Sequence, residues 1–304
     1  MYSENNNHVQ PLLNEVFNLK RFMGKYFMTG LIAKIDRYNR PFWIIALSDS
    51  SADIIVECHN ASLIKYKFFG QCSIHIEAVL SVSPEGLKFV CKNLVSLGSK
   101  DLLGPDLLSL PRSQCPFPEA LDVLIILFNG IKHEGLKTFL NSVLLSQTTA
   151  LRYLQCPASL NFHHNYSGGL LQHSVEVAWE LLSLESFSQF EKDIALVAAL
   201  LHDIGKTKTM TPDMTRTGLG TLVDHSCLAL EICAEPLREL EKASSSAAHQ
   251  LRHAWTCYSP NARYGFKPHT NVAKQLQLID GRNAKQLSSS AKEIIETSSR
   301  QITG

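Results

Sequence analysis

The spacing of hydrophobic and polar residues divides the chain into two parts. Between residues 26 and 95, short apolar runs alternate with polar positions and are separated by turns that contain Pro, Gly, Asn or Asp, a pattern typical of β-hairpins. After residue 118 the apolar residues recur at the three- and four-residue spacing of helices. The pattern predicts strands over residues 26–35, 42–48, 52–58, 71–82 and 87–95, and helices over 120–128, 136–145 and 148–154.

These elements predict an α+β chain that is organised as two domains. Five short strands joined by tight turns fit a small closed barrel, for which the OB-fold is the natural candidate. The Pro- and Gly-rich stretch at residues 99–118 is typical of a linker, and no strand pattern recurs after it, so the second domain should be all-α. The predicted order is an N-terminal extension (1–20), an OB-like nucleic-acid-binding domain (21–98), the linker (99–118), a helical domain (119–290) and a tail (291–304).

The first predicted hairpin carries residues suited to nucleic acid. OB-folds bind single strands by stacking bases on aromatic side chains in a positively charged groove. In the alternative, Phe42 and Trp43 alternate between the barrel core and the surface, and the charged residues are merely solvated. OB-folds also serve as protein-interaction modules, so both uses of the domain remain open. The candidate strand-binding residues are Arg37, Tyr38, Arg40 and Trp43.

One apolar run in the helical part ends in a polar pair. Residues 195–200 are uninterruptedly apolar, which predicts a buried helix, and His202 and Asp203 follow shortly after it. Burying polar groups is costly unless they are paired or bind a metal ion. Neighbouring side chains on a helix point about 100° apart, so both turn inward only if the helix loosens, as the nearby Gly205 suggests. The alternative is a capped core helix whose His-Asp pair is exposed.

Further candidates lie on both sides of this pair. Gly168 and Gly169 precede the helix that carries His173, and glycine at a helix start allows the backbone to approach a phosphate, although it can also serve only a turn. Of the preceding His163 and His164, one is expected to hydrogen-bond within the loop and the other to contact substrate, and neither is assigned as a metal ligand. The downstream candidates are His225, His253 and Asp280.

Composition narrows the class of protein only modestly. The 304 residues are 45% hydrophobic and 19% charged with a net charge of +1, so any nucleic-acid binding must come from a local basic patch. The eight cysteines form no Cys-x-x-Cys pair and are expected to be reduced thiols. The polar N-terminal stretch and the lack of an apolar run of about 20 residues indicate neither secretion nor a membrane span, so a cytoplasmic protein is expected.

The polar stretches together resemble a known superfamily. The segments HHNYSGGLLQH (163–173) and ALLHDIGKTK (199–208) are similar to those of HD-domain metal-dependent phosphohydrolases. They are especially similar to those of YhaM-type 3′-to-5′ exoribonucleases and of HD domains attached to conjugative relaxases. In YhaM-type proteins an OB-fold domain precedes the HD domain. The resemblance therefore implies that residues 119–290 form an HD phosphohydrolase domain.

The resemblance also implies a metal site. Its mixture of imidazole and carboxylate ligands suits Mn²⁺, Fe²⁺, Co²⁺ or Zn²⁺ better than Ca²⁺; Mn²⁺ is the preferred expectation, and Mg²⁺ is a further option. Two ions about 3.5–4 Å apart can hold both the attacking and the leaving oxygen of a phosphodiester. The implied ligands of the first ion are His173, His202, Asp203 and Asp280. By resemblance, His225 and His253 match the extra histidines of the two-metal branch, with Asp203 bridging the ions.

Other residues are expected to act on the substrate. Lys206 lies one helical turn after Asp203 and is predicted to stabilise the charge that develops at phosphorus, unless it is a solvated surface lysine. Two departures from YhaM-type proteins matter. Ala254 follows His253 where a second His is usual, which by resemblance leaves ligands for two ions but not for three, and residues 267–273 lack a Glu that the family often carries, which bears on substrate fit. The other substrate-binding candidates are Arg216, Arg263, Lys267, Gly168 and Gly169.

Three functions remain open on the sequence alone. The first is a metal-dependent 3′-to-5′ exonuclease on RNA or single-stranded DNA, in which the barrel holds the strand. The second is a nucleotide phosphohydrolase with the barrel as a regulatory or oligomerisation element. The third is a non-catalytic nucleic-acid-binding protein of a mobile element, against which the intact ligand set argues. The resemblance to YhaM-type proteins also implies assembly into a homo-oligomer.

Overall fold

The chain divides into two compact units, Met1–Ser113 and Gln114–Gly304. A computed structural model describes residues 10–64, 71–83, 86–97, 107–146, 148–258, 263 and 265–283. The boundary between the units lies inside the segment 99–118 that the sequence predicts as a linker. Residues 99–106 of that segment, residues 1–9 of the predicted N-terminal extension and the predicted tail (291–304) lie outside the described ranges.

The first unit contains a closed five-stranded barrel. Its strands are β1 (Arg21–Ile35), β2 (Pro41–Ser48), β3 (Asp53–Cys58), β4 (Cys72–Ser83) and β5 (Gly86–Ser96). They follow the order β1-β2-β3-β5-β4; β3 and β5 pair in parallel, and the other pairs are antiparallel. The long β1 closes the barrel, because its first half pairs with β4 and its second half with β2. The predicted OB-like barrel is confirmed.

Alternating side chains of these strands fill the barrel. Tyr26, Ile45 and Ile74 are fully buried, and Trp43 is partly buried and packs against this core. The first strand begins five residues earlier than the sequence pattern predicted. The extra residues are held by pairing with β4, in which Arg21 lies opposite Val79.

Part of the predicted linker belongs to the barrel unit. The backbone N–H of Ser50 donates to the carbonyl of Leu108 (2.8 Å), and the N–H of Arg112 donates to the carbonyl of Asp49 (3.0 Å). The Asp49 carboxylate is fully buried and accepts a hydrogen bond from the N–H of Leu13 (2.8 Å). These bonds tie the described residues 107–112 to the β2–β3 turn, so this part of the segment is packed structure.

The second unit is helical within the described ranges, which confirms the all-α prediction. The β-structure of its described residues is limited to one isolated bridge between Met210 and Arg216. α4 and α5 form its centre, since residues 169–178 and 193–201 are all buried. The helices are α1 (Pro118–Gly130), α2 (Glu134–Leu144), α3 (Ala150–Gln155), α4 (Gly169–Leu182), α5 (Gln189–Leu201), α6 (Lys206–Thr209), α7 (His225–Ile232), α8 (Ala234–Ala243), α9 (Ser245–Thr256) and α10 (Asn271–Asn283).

Two segments rich in Thr or Ser are ordered parts of the helical unit. The Thr-rich residues 206–219 contain the one-turn helix α6 and the isolated bridge. In the Ser-rich stretch 244–246, only Ser244 lies between α8 and α9. Its side chain caps α9 by accepting a hydrogen bond from the N–H of Ala247. Within the described ranges, every helix is too short or too polar to span a membrane.

Candidate metal centre

Three side chains from separate elements of the second unit converge on one point. His173 lies on α4, His202 follows α5, and Asp280 lies on α10. The Nε2 atoms of the two histidines are 3.2 Å apart. Asp280 Oδ1 lies 3.2 Å from His173 Nε2 and 3.4 Å from His202 Nε2. Among the described residues, these three offer ligand atoms that all lie within 4.8 Å of one another.

Asp203 connects this cluster to two further side chains. Its Oδ2 lies 3.6 Å from His173 Nε2 and 3.4 Å from His202 Nε2, and it accepts a hydrogen bond from Lys206 Nζ. Its other oxygen, Oδ1, lies 3.1 Å from His225 Nε2, at the start of α7. The Lys206 side chain is only 13% exposed, so it is not a solvated surface lysine.

The turn after α5 explains how two consecutive residues reach the same point. α5 ends at Leu201, and tight turns follow: the N–H of Ile204 donates to the Leu201 carbonyl (3.1 Å), and that of Lys206 to the Asp203 carbonyl (2.9 Å). These hydrogen bonds join residues three apart, whereas those of an α-helix join residues four apart. The side chains of His202 and Asp203 therefore point in directions that differ from those on a continued α-helix. Gly205 is required here because a Cβ would lie 1.9 Å from the carbonyl oxygen of His225.

Side-chain donors hold the end of α5 in place. The last carbonyls of a helix have no partner within the helix. Here Ala198 accepts from Trp255 Nε1 (3.0 Å), Ala199 from His202 Nδ1 (2.7 Å) and Leu200 from Tyr153 Oη (2.8 Å). Because a carbonyl only accepts, the neutral His202 ring carries its proton on Nδ1 and directs Nε2 at the cluster. Metal-binding histidines are oriented in the same way.

The cluster is strongly coupled electrostatically in the metal-free protein. Burial lowers the pKa of His202, but the carboxylates of Asp203 and Asp280 outweigh burial and raise this pKa to about 9. Burial raises the pKa of both aspartates, whereas His202, His173 and, at Asp203, Lys206 hold their pKa values well below the usual range. The carboxylates are therefore ionised and retain a proton on His202 until another cation replaces it.

These donors fit a divalent cation. Two imidazoles with two carboxylates are ligands that Mn²⁺, Fe²⁺, Co²⁺ and Zn²⁺ accept. Ligand atoms bound at about 2.1 Å are about 3.4 Å apart in a tetrahedral shell. The separations between the two histidines, and between each histidine and each aspartate, are 3.2–3.6 Å. The residues that would hold an ion are His173, His202, Asp203 and Asp280.

His253, which the resemblance assigns to a second ion, is engaged differently. Its Nε2 accepts a hydrogen bond from the backbone N–H of His269 (2.9 Å), and the two rings lie 5.7 Å apart. Burial and the neighbouring His269 lower the pKa of His253. The structure thus brings His225 to Asp203, while one ring nitrogen of His253 is already in use.

A buried polar network lies beside His173. His164 Nε2 lies 3.1 Å from a Glu176 carboxylate oxygen, and its Nδ1 lies 2.8 Å from Tyr166 Oη. Tyr166 in turn donates to Gln172 (2.9 Å). The rings of His164 and His173 are 5.5 Å apart. His164 therefore makes the loop hydrogen bonds that the sequence suggested for one of the two adjacent histidines.

Chain packing explains Gly168 and Gly169. Gly168 has a φ of +85°, and a Cβ on Gly169 would lie 2.1 Å from the carbonyl oxygen of His164. Their backbone N–H groups donate to the carbonyls of Gln155 (2.9 Å) and Tyr166 (3.0 Å). Because these donors are used, the structure favours the turn over the phosphate contact that was also considered.

The basic substrate-binding candidates lie on the surface of the second unit. Arg216 Nη1 donates to the carbonyl of Gly220 (3.1 Å), so Arg216 is engaged within its own loop. Arg263 and Lys267 are exposed in the segment between α9 and α10. Lys267 lies two residues before His269, whose backbone contacts His253.

In the barrel, the structure separates Trp43 from the other strand-binding candidates. Trp43 is partly buried and packs against the barrel core, so its role as a stacking residue stays a prediction. Arg37, Tyr38 and Arg40 lie at the exposed β1–β2 turn, where the two guanidinium carbons are 4.9 and 5.1 Å from the centre of the Tyr38 ring. Arg40 also pairs with Asp36 (2.8 Å).

Sequence reasoning missed the side chains that support the cluster. Tyr153 is fully buried, and both it and Trp255 place their polar atoms on carbonyls at the end of α5. A usable signal existed, because a buried Tyr or Trp normally finds a partner for its O–H or N–H. Which carbonyl it finds depends on the packing of distant helices.

Known proteins share this region. Residues 170–288 match the HD domain family model. A 3′-5′ exoribonuclease YhaM from Shouchella clausii is 30% identical over 139 residues, which are 44% of this chain and 43% of that protein. A 3′-5′ exoribonuclease YhaM from Halalkalibacterium halodurans is 26% identical over 277 residues, 86% of this chain and 82% of that protein. A dihydroneopterin 2′,3′-cyclic phosphate phosphodiesterase from Methanocaldococcus jannaschii is 34% identical over 64 residues, 19% of this chain and 26% of that protein.

The extent of these matches differs. The chain spans less than half the length of the Shouchella clausii and Methanocaldococcus jannaschii relatives, but most of the Halalkalibacterium halodurans relative. The HD-domain match falls entirely in the second unit and contains His173, His202, Asp203 and Asp280. Residues 170–288 of the second unit thus form an HD domain, and the His-Asp cluster lies inside it.

Proposed function

We propose that the protein is a metal-dependent 3′-to-5′ exonuclease that acts on RNA or single-stranded DNA. The observation that carries this proposal is the convergence of His173, His202 and Asp280 on one point, joined through Asp203 to Lys206 and His225. Two relatives bear the name 3′-5′ exoribonuclease, which makes RNA the first substrate to test. The OB-like barrel adds a fold that commonly binds single strands.

Hydrolysis of a phosphodiester requires a nucleophilic water and stabilisation of negative charge at phosphorus. A divalent ion held by the His-Asp cluster would supply an acidified water and charge neutralisation. The chain itself contributes Lys206, whose ammonium group is fixed by Asp203 at the edge of the cluster and is placed to stabilise the phosphoryl charge. Because both side chains are largely enclosed, their charges are screened less than surface charges.

A two-ion form of the site is supported by the way Asp203 divides its oxygens. Oδ2 faces the His173–His202 pair, and Oδ1 faces His225. Within this proposal His253 contributes to the second ion through Nδ1, because its Nε2 accepts the His269 N–H. We propose Mn²⁺ as the metal, since the ligands mix nitrogen and oxygen. Titration with Mn²⁺ should give two ions per chain and one ion in His225→Ala; one ion in both proteins would limit the site to a single metal.

A second candidate function is hydrolysis of a small nucleotide or cyclic phosphate. It is favoured by the short match to a relative named as a 2′,3′-cyclic phosphate phosphodiesterase. In that case the barrel would serve regulation or assembly into a homo-oligomer. A non-catalytic binding role is weaker, because Lys206 and the donor atoms are gathered at one enclosed point.

Digestion of end-labelled oligonucleotides separates these functions. RNA and DNA of the same sequence, labelled at the 5′ end, would be incubated with Mn²⁺ and either the wild-type protein or Asp203→Asn. A ladder that shortens from the 3′ end and disappears in the variant is expected, and the faster substrate identifies the preferred sugar. If metal binds but no ladder forms, the exonuclease proposal is wrong, and a panel of nucleotides and cyclic phosphates tests the second candidate.

A further inference from the structure

The segment after α9 presents two aromatic side chains to solvent. Tyr258 is 56% exposed and Phe266 is 77% exposed. The backbone N–H of Tyr258 donates to the carbonyl of Phe266 (2.8 Å), so one hydrogen bond closes the neck of the segment and holds the two residues side by side. Two large rings held at one surface point and covered so little by the unit's own atoms favour a ligand as their partner.

The root of this segment is tied to the elements that deliver the metal cluster. Trp255, three residues before Tyr258, donates to the carbonyl of Ala198 near the end of α5, just ahead of His202. On the other side, Gln277 Nε2 donates to the carbonyl of Cys257 (3.0 Å). Gln277 lies one helical turn before Asp280 on the same face of α10. The residues just before the aromatic pair, Trp255 and Cys257, therefore contact the end of α5 and the middle of α10, the two helices that lead to His202 and carry Asp280.

The geometry of the segment fixes the Tyr258 ring. Gly265 has a φ of +88°, which side chains other than glycine rarely adopt. A Cβ at this position would lie 2.0 Å from Cδ2 of Tyr258, so the backbone of Gly265 packs directly against the ring. Glycine at residue 265 thus supports the ring of Tyr258 from one side and leaves its remaining surface open.

Cationic and imidazole groups accompany these rings. Lys267 is exposed and follows Phe266 directly. His269 lies two residues further, and its backbone N–H binds His253. Three residues of chain span at most about 10 Å, so Phe266 is within that reach of His269. An aromatic surface next to a cation is the combination that single-stranded nucleic acids need, since bases stack on the rings and the phosphates meet the positive charge.

We propose that Phe266 and Tyr258 form a platform on which bases of a single-stranded nucleic acid stack as its 3′ end enters the metal centre, with Lys267 contacting the backbone. The placement of the 3′ end rests on the proposed exonuclease function; the stacking itself does not require turnover. This platform puts base recognition on the same unit as the metal centre, whereas Trp43 of the barrel is turned to its own core.

Binding of intact and abasic oligonucleotides tests the platform without relying on catalysis. The full chain, kept metal-free with a chelator, would be titrated with a labelled eight-nucleotide RNA and with the same RNA lacking bases near its 3′ end. The variants are Phe266→Ala and Phe266→Trp, and the matched control is Phe162→Ala, an equally exposed aromatic (76%) on another loop. Circular dichroism would establish that each variant is folded.

Phe266→Ala is expected to weaken binding of the intact RNA by roughly 5- to 100-fold and to change binding of the abasic RNA little. Phe266→Trp should retain affinity, because a larger ring still stacks. An equal loss for both RNAs, no loss, or the same loss in Phe162→Ala would overturn the platform, as would a change in oligomeric state with unchanged RNA affinity. RNA that binds through Phe266 but is not shortened contradicts the exonuclease function alone, whereas shortening that is insensitive to Phe266→Ala, with unchanged affinity, contradicts the platform alone.

Discussion

The helical unit buries His173 and Asp203 at the centre of its candidate site, whereas the barrel places its candidate residues Arg37, Tyr38 and Arg40 on an exposed turn. Asp203 is 6% exposed and His173 is 5% exposed, but Tyr38 in the barrel is 64% exposed. The enclosed groups contact one another through ring nitrogens and carboxylate oxygens at 3.1–3.6 Å. The barrel groups contact one another through guanidinium and ring faces, about 5 Å apart, in water.

This difference in burial implies different energetic roles. Enclosed charges interact strongly because little water screens them, and removing one partner leaves the others uncompensated. Exposed charges are screened by water and salt, so each contributes modestly. We therefore expect the helical unit to determine whether the reaction occurs and the barrel turn to adjust how tightly a strand is held.

The largest effect is expected from removing a metal ligand. Asp280→Ala should reduce exonuclease activity by more than the roughly 10²–10³-fold that loss of one charge-stabilising donor causes, because one carboxylate of the cluster disappears. Initial rates with end-labelled RNA measure it. Asp213→Ala, which removes an exposed carboxylate elsewhere in the unit, should retain activity. Full activity of Asp280→Ala would contradict the enclosed cluster as the reactive centre.

Lys206 should show the next largest effect. Lys206→Met keeps the length of the side chain but removes the ammonium that Asp203 holds, so kcat should fall by roughly 10²-fold while the folded state persists. The matched control is Lys208→Met, which only breaks a partly exposed ion pair with Glu231 (2.6 Å). Similar kcat values for the two variants would show that Lys206 has no special role.

Metal binding should depend on pH because it competes with a proton. His202 has a pKa of about 9, so at any lower pH its ring holds a proton that the metal ion must displace. The apparent affinity for Mn²⁺ should therefore rise by up to about tenfold per pH unit between pH 6 and 8, provided that one proton is released. Titration calorimetry in two buffers of different ionisation enthalpy measures both the affinity for Mn²⁺ and the number of protons released. Binding without proton release would contradict the proposed state of His202.

The barrel turn should have the smallest effect. Replacing Arg37 and Arg40 together by Ala removes two cations from the turn and should lower the salt dependence of RNA binding by a slope of about 0.7 per lost phosphate contact. The affinity at moderate salt should fall only a few-fold, and kcat should not change. Binding measured at several salt concentrations decides this. A loss of kcat as large as that of Lys206→Met would remove the distinction between the two regions.

The fold was predictable because local signals mark it. The turns around Asn39 and Asp49 bound the second predicted strand, which agrees with β2 (Pro41–Ser48) to within one residue. The start of β1 was missed because Arg21 and its neighbours are held by pairing with β4, which is not a local property. The exact boundary between α8 and α9 was not predictable, because a single capping residue, Ser244, separates the two helices.

The candidate site was predictable only in its residue types. His202 and Asp203 stand out because an apolar helix ends in them, and the resemblance selects His173 and Asp280. The sequence does not encode locally which oxygen of Asp203 faces which partner, or that the N–H of His269 occupies His253. The packing of Trp43 against the barrel core was not predictable either, because strand alternation allows either face and the packing of the core decides between them.

The central claim is that the enclosed His-Asp cluster binds a divalent metal ion, and anomalous scattering from crystals soaked in Mn²⁺ tests it most directly. We predict an anomalous peak within about 2.0–2.3 Å of His173 Nε2, His202 Nε2 and an Asp280 oxygen, with no such peak in crystals of His202→Ala. The account would be contradicted if well-diffracting crystals of the wild-type protein, soaked at saturating Mn²⁺, showed no peak at this cluster or showed the ion bound only elsewhere.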